Sequence, residues 1–194
     1  RGLGDVYKRQ APDIPAAVYR ELYQELTGQL TGLQFSSAQA NALLGLLESQ
    51  CSALPANTAW EEDRDISLYD QLKLTAALAA CVSEYLQQAD AFSLLDASTE
   101  LRREPVFLLY TADFSRIQRF IYTVHTEGAL RSLRSRSFFL ELLMEHYMDE
   151  LLDGCGLTRA NIIYSGGGHC YLLLPNTAAG QQTLAAVSYT HLTL

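Results

Sequence analysis

The chain is short of basic residues and has no long apolar run. Its 194 residues hold 14 lysines and arginines against 22 aspartates and glutamates, a formal net charge of −8. Phosphate neutralisation needs local positive charge, so this balance excludes a generic nucleic-acid binder. No stretch reaches the roughly 18 apolar residues that a membrane-spanning helix requires. No secretory signal, internal repeat or low-complexity tract is visible. Cys51, Cys81, Cys155 and Cys170 show neither CxxC spacing nor a histidine partner at ligand spacing. That argues against a zinc site and for buried, reduced thiols, as in a cytosolic protein. With 48% hydrophobic residues the chain can still bury a core, as one domain or parts of two.

The two ends read differently from the rest. Residues 1–10 and 187–194 are what a sequencing-library transposon end and its reverse complement encode, so both are expected to be translated adapter. The remaining stretch, 11–186, is then an internal piece of something longer. Setting aside Arg1, Lys8, Arg9 and Asp5 leaves 11 basic against 21 acidic residues, a net charge of −10.

Within that stretch, residues 16–50 carry two amphipathic helical segments. Asn41-Ala-Leu-Leu-Gly-Leu-Leu47 is too apolar for solvent. Pro55, Asn57 and the acidic run 61–63 mark a loop. Asp65 to Leu86 reads as a helix with Leu72, Ala76, Ala79 and Val82 facing inward. Residues 96–105 form a charged connector ending at Pro105, which bars helix continuation. These features divide the chain into a helical module, 11–95, the connector, and a mixed unit, 106–186.

The mixed unit carries the strongest signal. Two apolar runs, 161–165 and 169–174, flank Gly166-Gly-Gly168, a pattern for a β-hairpin with a bare turn. Glycine permits φ > 0 and close approach of another molecule to the backbone, although a glycine-rich turn by itself requires no ligand. Upstream, Val106–Asp113 is an apolar run closed by a carboxylate. Ile117, Phe120, Ile121 and Val124 follow at helical spacing, with Ser115 placed as N-cap. A second helix is expected from about Ser137 to Leu152, with Phe139, Leu142, Leu143, Tyr147 and Leu151 inward and Gly154 and Gly156 ending it. Another helix is expected near Thr177. The fold class is therefore α+β: a helical module followed by a ferredoxin-like or palm βαββ unit, truncated. Between Asp113 and Leu140, Arg116, Arg119, Arg131, Arg134 and Arg136 outnumber Asp113 and Glu127 by three. The planar guanidinium fork suits phosphate or RNA contact, and a solvated helix face is the alternative for any one of them.

Thr111-Ala-Asp-Phe-Ser-Arg-Ile-Gln-Arg-Phe-Ile-Tyr122 resembles a palm-opening motif written GDxSGIQxFIY. Gly128–Leu143 and Tyr164-Ser-Gly-Gly-Gly-His169 extend the likeness, which runs through most of residues 40–177. Leu54–Thr58 and Asp65–Ala77 look like the end of an HD domain. Together these segments resemble the large signature subunit of type III CRISPR–Cas effector complexes, Csm type. The resemblance implies an antiviral, cytoplasmic prokaryotic enzyme. It would bind ATP with Mg or Mn and make cyclic oligoadenylate on target-RNA binding, with an HD single-strand DNase. It also implies neighbouring subunits of a ribonucleoprotein complex, indirect contact with crRNA and target RNA, contact with single-stranded DNA through the HD domain, and no membrane.

The residues limit what this stretch could do. A two-metal palm needs carboxylates on both the first strand and the hairpin, and the hairpin has none. The resemblance therefore implies a non-catalytic ATP half-site: Asp113, Ser115, Ser165, Gly166, Gly167, Gly168 and His169 at the nucleotide, with no catalytic residue. Arg116 stands where the family motif has glycine, and with Arg119, Arg131, Arg134 and Arg136 it is a candidate for phosphate or RNA. Asp113 and Asp70 are the candidate metal ligands. In the family's DHxK segment this chain reads Asp70-Gln-Leu-Lys73, without the histidine, and an N-cap or surface role for Asp70 is equally open. A degenerate palm acting as scaffold, without nucleotide, is the second reading.

Overall fold

The structure, a computed structural model, describes residues 14–32, 36–57, 66–96, 98–114, 117–122 and 129–192. The chain divides into two compact units between Leu72 and Lys73, within one helix. The first unit contains α1 (Ala16–Leu30), α2 (Ser37–Cys51) and the opening turn of α3 (Leu68–Ala89). α2 and α3 each begin at a side-chain cap. The Ser36 side chain accepts from the Gln39 N–H at the start of α2. At the start of α3, the Asp70 N–H donates to Ser67 Oγ at 3.0 Å, and Ser67 Oγ donates to the Asp70 carboxylate at 2.7 Å. An antiparallel bridge between Pro55 and Ser67 closes the intervening loop. The Tyr19 hydroxyl donates to the Pro55 carbonyl at 2.9 Å.

The second unit is built on a three-stranded antiparallel sheet, β1 (Phe107–Asp113), β2 (Ile162–Gly166) and β3 (His169–Pro175), in the order β1-β3-β2. Between β1 and β2 lie α5 (Ile117–Tyr122) and α6 (Ala129–Gly154), and α7 (Ala178–Leu192) follows β3. The expected connector carries a four-residue helix, α4 (Ser98–Leu101). The expected α+β class is the class observed. Register sets the two faces of the sheet, because successive side chains alternate. Tyr110 opposite Leu172 and Ala112 opposite Cys170 share the inner face with Leu174. Buried Met144, Tyr147, Met148, Leu151 and Leu152 of α6 pack on it. Full burial of side chains this size stabilises by roughly 1.5–3 kcal/mol each. The Tyr110 and Tyr147 hydroxyls hydrogen-bond across this layer. Leu184 and Val187 of α7 pack against the same core, Val187 lying in the stretch expected to be adapter.

α6 stops in a Schellman arrangement. Gly156 has φ 68°, its N–H donates to the Asp153 carbonyl, and the Leu157 N–H reaches back to the Leu152 carbonyl at 2.8 Å. Arg159, in a short 3-10 turn, pairs with Glu145 and Asp149 of α6 and fixes where β2 begins. Burial raises the Asp149 pKa, with Asp153 adding to it, although the Arg159 guanidinium lies 3.2 Å away.

Two expectations need correction. α6 begins at Ala129, eight residues before Ser137, because Ala, Leu and Arg between 129 and 136 are good helix formers. Its first half does not lie on the sheet: Phe139 and Leu142 are exposed, at 53% and 52%, and the buried stripe starts at Met144. That first half instead carries α5, with the Phe120 and Phe139 rings 6.2 Å apart. On α3 the buried residues are Ala77, Cys81 and Leu86; Leu72, Ala76 and Ala79 are exposed and Val82 is half-buried. Ala77 and Cys81 pack on Leu173 of β3, and their small side chains let helix and strand approach closely.

Candidate functional site

The hairpin turn follows from its glycines. Gly167 and Gly168 have φ of 62° and 81°, the two positive values that a two-residue type I′ connection demands. Gly166 is bare for another reason. A Cβ there would lie 2.9 Å from the Tyr164 hydroxyl, so the tyrosine folds back over it. A Cβ on Gly167 would meet nothing within 4 Å, which leaves the tip of the bend open.

The sheet brings Asp113 to this bend. Asp113 pairs in register with His169, and the next residue, Phe114, donates its N–H to the Gly168 carbonyl at 3.0 Å. His169 Nδ1 lies 3.8 Å from the Asp113 carboxylate, too far for a hydrogen bond, and its Nε2 lies 3.3 Å from Thr111 Oγ1. The edge of the His169 ring meets Tyr171 at 4.9 Å between centroids. The outer face at this end therefore presents Leu109, Thr111 and Asp113 from β1, His169 and Tyr171 from β3, and Tyr164 from β2.

Other expected site residues are placed apart. Ser165 pairs in register with Cys170, so alternation points it to the face opposite Asp113, although it is exposed at the sheet edge. Ser115 and Arg116 lie outside the described residues. Arg119 is exposed on α5. Arg131 and Arg134 are exposed and share one side of α6, whereas Arg136 lies about 140° around the helix from Arg131. Arg136 donates to the Phe120 carbonyl at 2.6 Å with its guanidinium over the Phe120 ring, so it packs α5 on α6. The five arginines thus form no single described cluster. Asp70 is taken up by the cap at the start of α3. Among the described residues no group of three or more His, Cys, Asp or Glu side chains could hold a metal ion. The cysteines are all free, and burial raises each thiol pKa, that of Cys81 to about 11, so none is a ready nucleophile. No helix among the described residues is long and apolar enough to cross a membrane.

Thr111, Tyr164 and Tyr171 were not anticipated at the site. Counting by twos back from Gly166 and Asp113, and forward from His169, would have found them on the same face.

The family described as Csm1 subunit domain B matches residues 106–191. A CRISPR system single-strand-specific deoxyribonuclease Cas10/Csm1, subtype III-A, from Mycobacterium tuberculosis is 48% identical over 170 residues, covering 86% of this chain and 21% of the relative. Residues 106–191 thus match the Csm1 domain B family, and the chain as a whole is similar to Csm1 subunits. A relative of the same description from Enterococcus italicus is 40% identical over 182 residues, covering 90% of this chain and 24% of its own length. Among solved structures, a Csm1–Csm4 cassette in complex with pppApA superposes with a TM-score of 0.74 at 35% identity, covering 90% of this chain and 23% of that one. A Csm1–Csm4 cassette in complex with one ATP gives a TM-score of 0.68 at 34% identity, covering 90% and 22%. The chain thus spans about a fifth to a quarter of the length of these Csm1 relatives.

Proposed function

We propose that the 106–186 unit supplies one wall of an ATP site in a type III-A Csm1 subunit, without the acids for chemistry of its own. One observation carries this reading: Asp113 faces His169 beside an open Gly167-Gly168 bend, at the exposed end of the sheet. The bend offers bare backbone to a triphosphate. Asp113 offers one oxygen ligand to a magnesium or manganese ion, whose other ligands would be phosphate oxygens and water. Among the described residues of the three strands and the bend, Asp113 is the one carboxylate at this end of the sheet, so these residues do not fit a two-ion catalytic centre and support no reaction step of their own. Ser165 on the opposite face is a weaker candidate for the nucleotide than Thr111. Arg131 and Arg134 remain candidates for phosphate or RNA, and Arg136 is the weaker for its packing role.

The parent would be the enzyme: an ATP-using cyclic oligoadenylate synthase and single-strand DNase of antiviral defence. It would sit beside Csm4-type and other subunits on crRNA and target RNA, in the prokaryotic cytoplasm. The helical module, 11–95, would then be the end of the nuclease domain, with Asp70 in a capping role. The alternative is a scaffold palm, favoured by the absence of a metal-binding group among the described residues. Titrating the full chain with ATP and Mg²⁺ separates the two. Saturable binding weakened about tenfold or more by Asp113→Ala or Gly167→Asp, a loss of at least ~1.4 kcal/mol, supports the nucleotide wall. A folded chain that binds no ATP supports the scaffold.

A further inference from the structure

Beside the bend lies an aromatic surface to which the triphosphate reading gives no task. Tyr164 and Tyr171 are cross-strand partners on the outer face, with ring centroids 6.1 Å apart and planes tilted by 53°. They are 53% and 37% exposed. Tyrosines buried for stability would turn to the inner face, where α6 covers the sheet. These two stay in solvent, and the chain accommodates one of them at some cost. Gly166 has no side chain, and the Tyr164 ring lies back over it so that its hydroxyl reaches where a Cβ would be. The bare position therefore directs an exposed ring toward the bend. The edge of His169 props Tyr171 from the other side, and His169 is itself tied to Thr111. Directly opposite Thr111 in the register, Tyr171 is a diagonal neighbour of Asp113, a spacing of about 7–8 Å in an antiparallel sheet.

We infer that Tyr164 and Tyr171 form a stacking platform for the nucleobase of a purine nucleotide whose phosphates lie over the Gly167-Gly168 bend. This rests on the nucleotide reading above and adds the base subsite to it. With the planes tilted by 53°, one ring offers its face to the base while the other borders it edge-on; stacking grows with ring area, so a purine is held better than a pyrimidine. Platform and bend lie on one face, within the reach of a single nucleotide. Stacking by itself reads no base edge, so the platform discriminates ring size and leaves adenine against guanine to other contacts.

The test is equilibrium binding of ATP, CTP and inorganic tripolyphosphate to the full chain in Mg²⁺, for the wild type, Tyr164→Leu and Tyr164→Phe. The platform predicts that wild type binds ATP more tightly than CTP or tripolyphosphate. Tyr164→Leu should lose about 5- to 150-fold in ATP affinity, the range of one lost base–aromatic stack, while tripolyphosphate binding stays unchanged. Tyr164→Phe should restore ATP binding, because the ring and not the hydroxyl does the stacking. ATP affinity indifferent to Tyr164→Leu, or equal loss of ATP and tripolyphosphate in both variants, overturns the platform and leaves the triphosphate site standing. A wild type that binds none of the three overturns the nucleotide reading itself, and the platform with it.

Discussion

Replacing Asn161 by alanine should loosen the second unit by an amount that its surroundings fix. Asn161 is fully buried, and its side-chain amide donates to the Leu173 carbonyl at 2.8 Å and the Ala77 carbonyl at 3.2 Å, with Cys81 Sγ at 3.4 Å. It therefore ties the 3-10 turn before β2 to both β3 and α3. The amide has two hydrogens, so the two carbonyl bonds count and the sulfur shares one of them. Each is worth about 1 kcal/mol net, and the small space left by truncation adds roughly 1 kcal/mol more. Against this, Asn161 Oδ1 has no partner among the described residues, and removing it returns about 1 kcal/mol. The balance is a loss of about 2 kcal/mol, roughly a thirtyfold change in an opening equilibrium. Asn161→Asp should cost more, since it turns a buried carboxylate toward two carbonyl oxygens. Amide hydrogen exchange of Cys170–Leu174 reads this unit separately from the helices before Leu72. Protection of β3 within twofold of wild type in Asn161→Ala, or an aspartate variant milder than the alanine one, would refute the reasoning.

Further outcomes follow from backbone and burial. Gly180→Ala would place a Cβ 2.8 Å from the Pro175 carbonyl oxygen and should cost about 1–3 kcal/mol. Gly167→Ala meets open space and should cost only the left-handed backbone penalty of roughly 1–2 kcal/mol, which Gly167→Asn largely recovers; thermal melts of the three variants check the order. Cys81, with its thiol pKa raised to about 11 by burial, should resist a disulfide reagent at pH 8 until the chain is unfolded. A folded pKa above the unfolded value of about 8.5 gives stability that is complete below pH 8.5 and lost as pH rises through 11. Cys81→Ala should flatten that alkaline loss, and an unchanged pH–stability curve would contradict it.

Some of this structure was legible in the sequence, and the reasons differ by element. The hairpin was plain because 161–165 and 169–174 are apolar runs of strand length around residues that tolerate φ > 0. Asp113 at the end of β1 was legible too, since a carboxylate closes an otherwise apolar run. The start of α6 was not, because five arginines around a short motif suggested a loop, while the local propensity of Ala129–Arg136 is helical. Its buried stripe was misplaced because Phe139 and Leu142 continue the apolar period past the edge of the sheet. The close contact of Ala77 and Cys81 with Leu173 depends on residues more than ninety apart, which no local period encodes. Gly166 shows the same limit: from sequence it is one of three interchangeable glycines, and only the register reveals that it seats Tyr164.

The central claim is that a nucleotide meets the chain at the Asp113 end of the sheet. Its most direct test is an ATP–Mg²⁺ titration followed by the backbone amide signals of the isotopically labelled chain. The account predicts saturable shifts concentrated at Asp113, Phe114, Gly166–His169 and Tyr171, absent from α1 and α2 and abolished by Gly167→Asp. Saturable shifts centred elsewhere, or none at millimolar ATP in a folded chain, would contradict it.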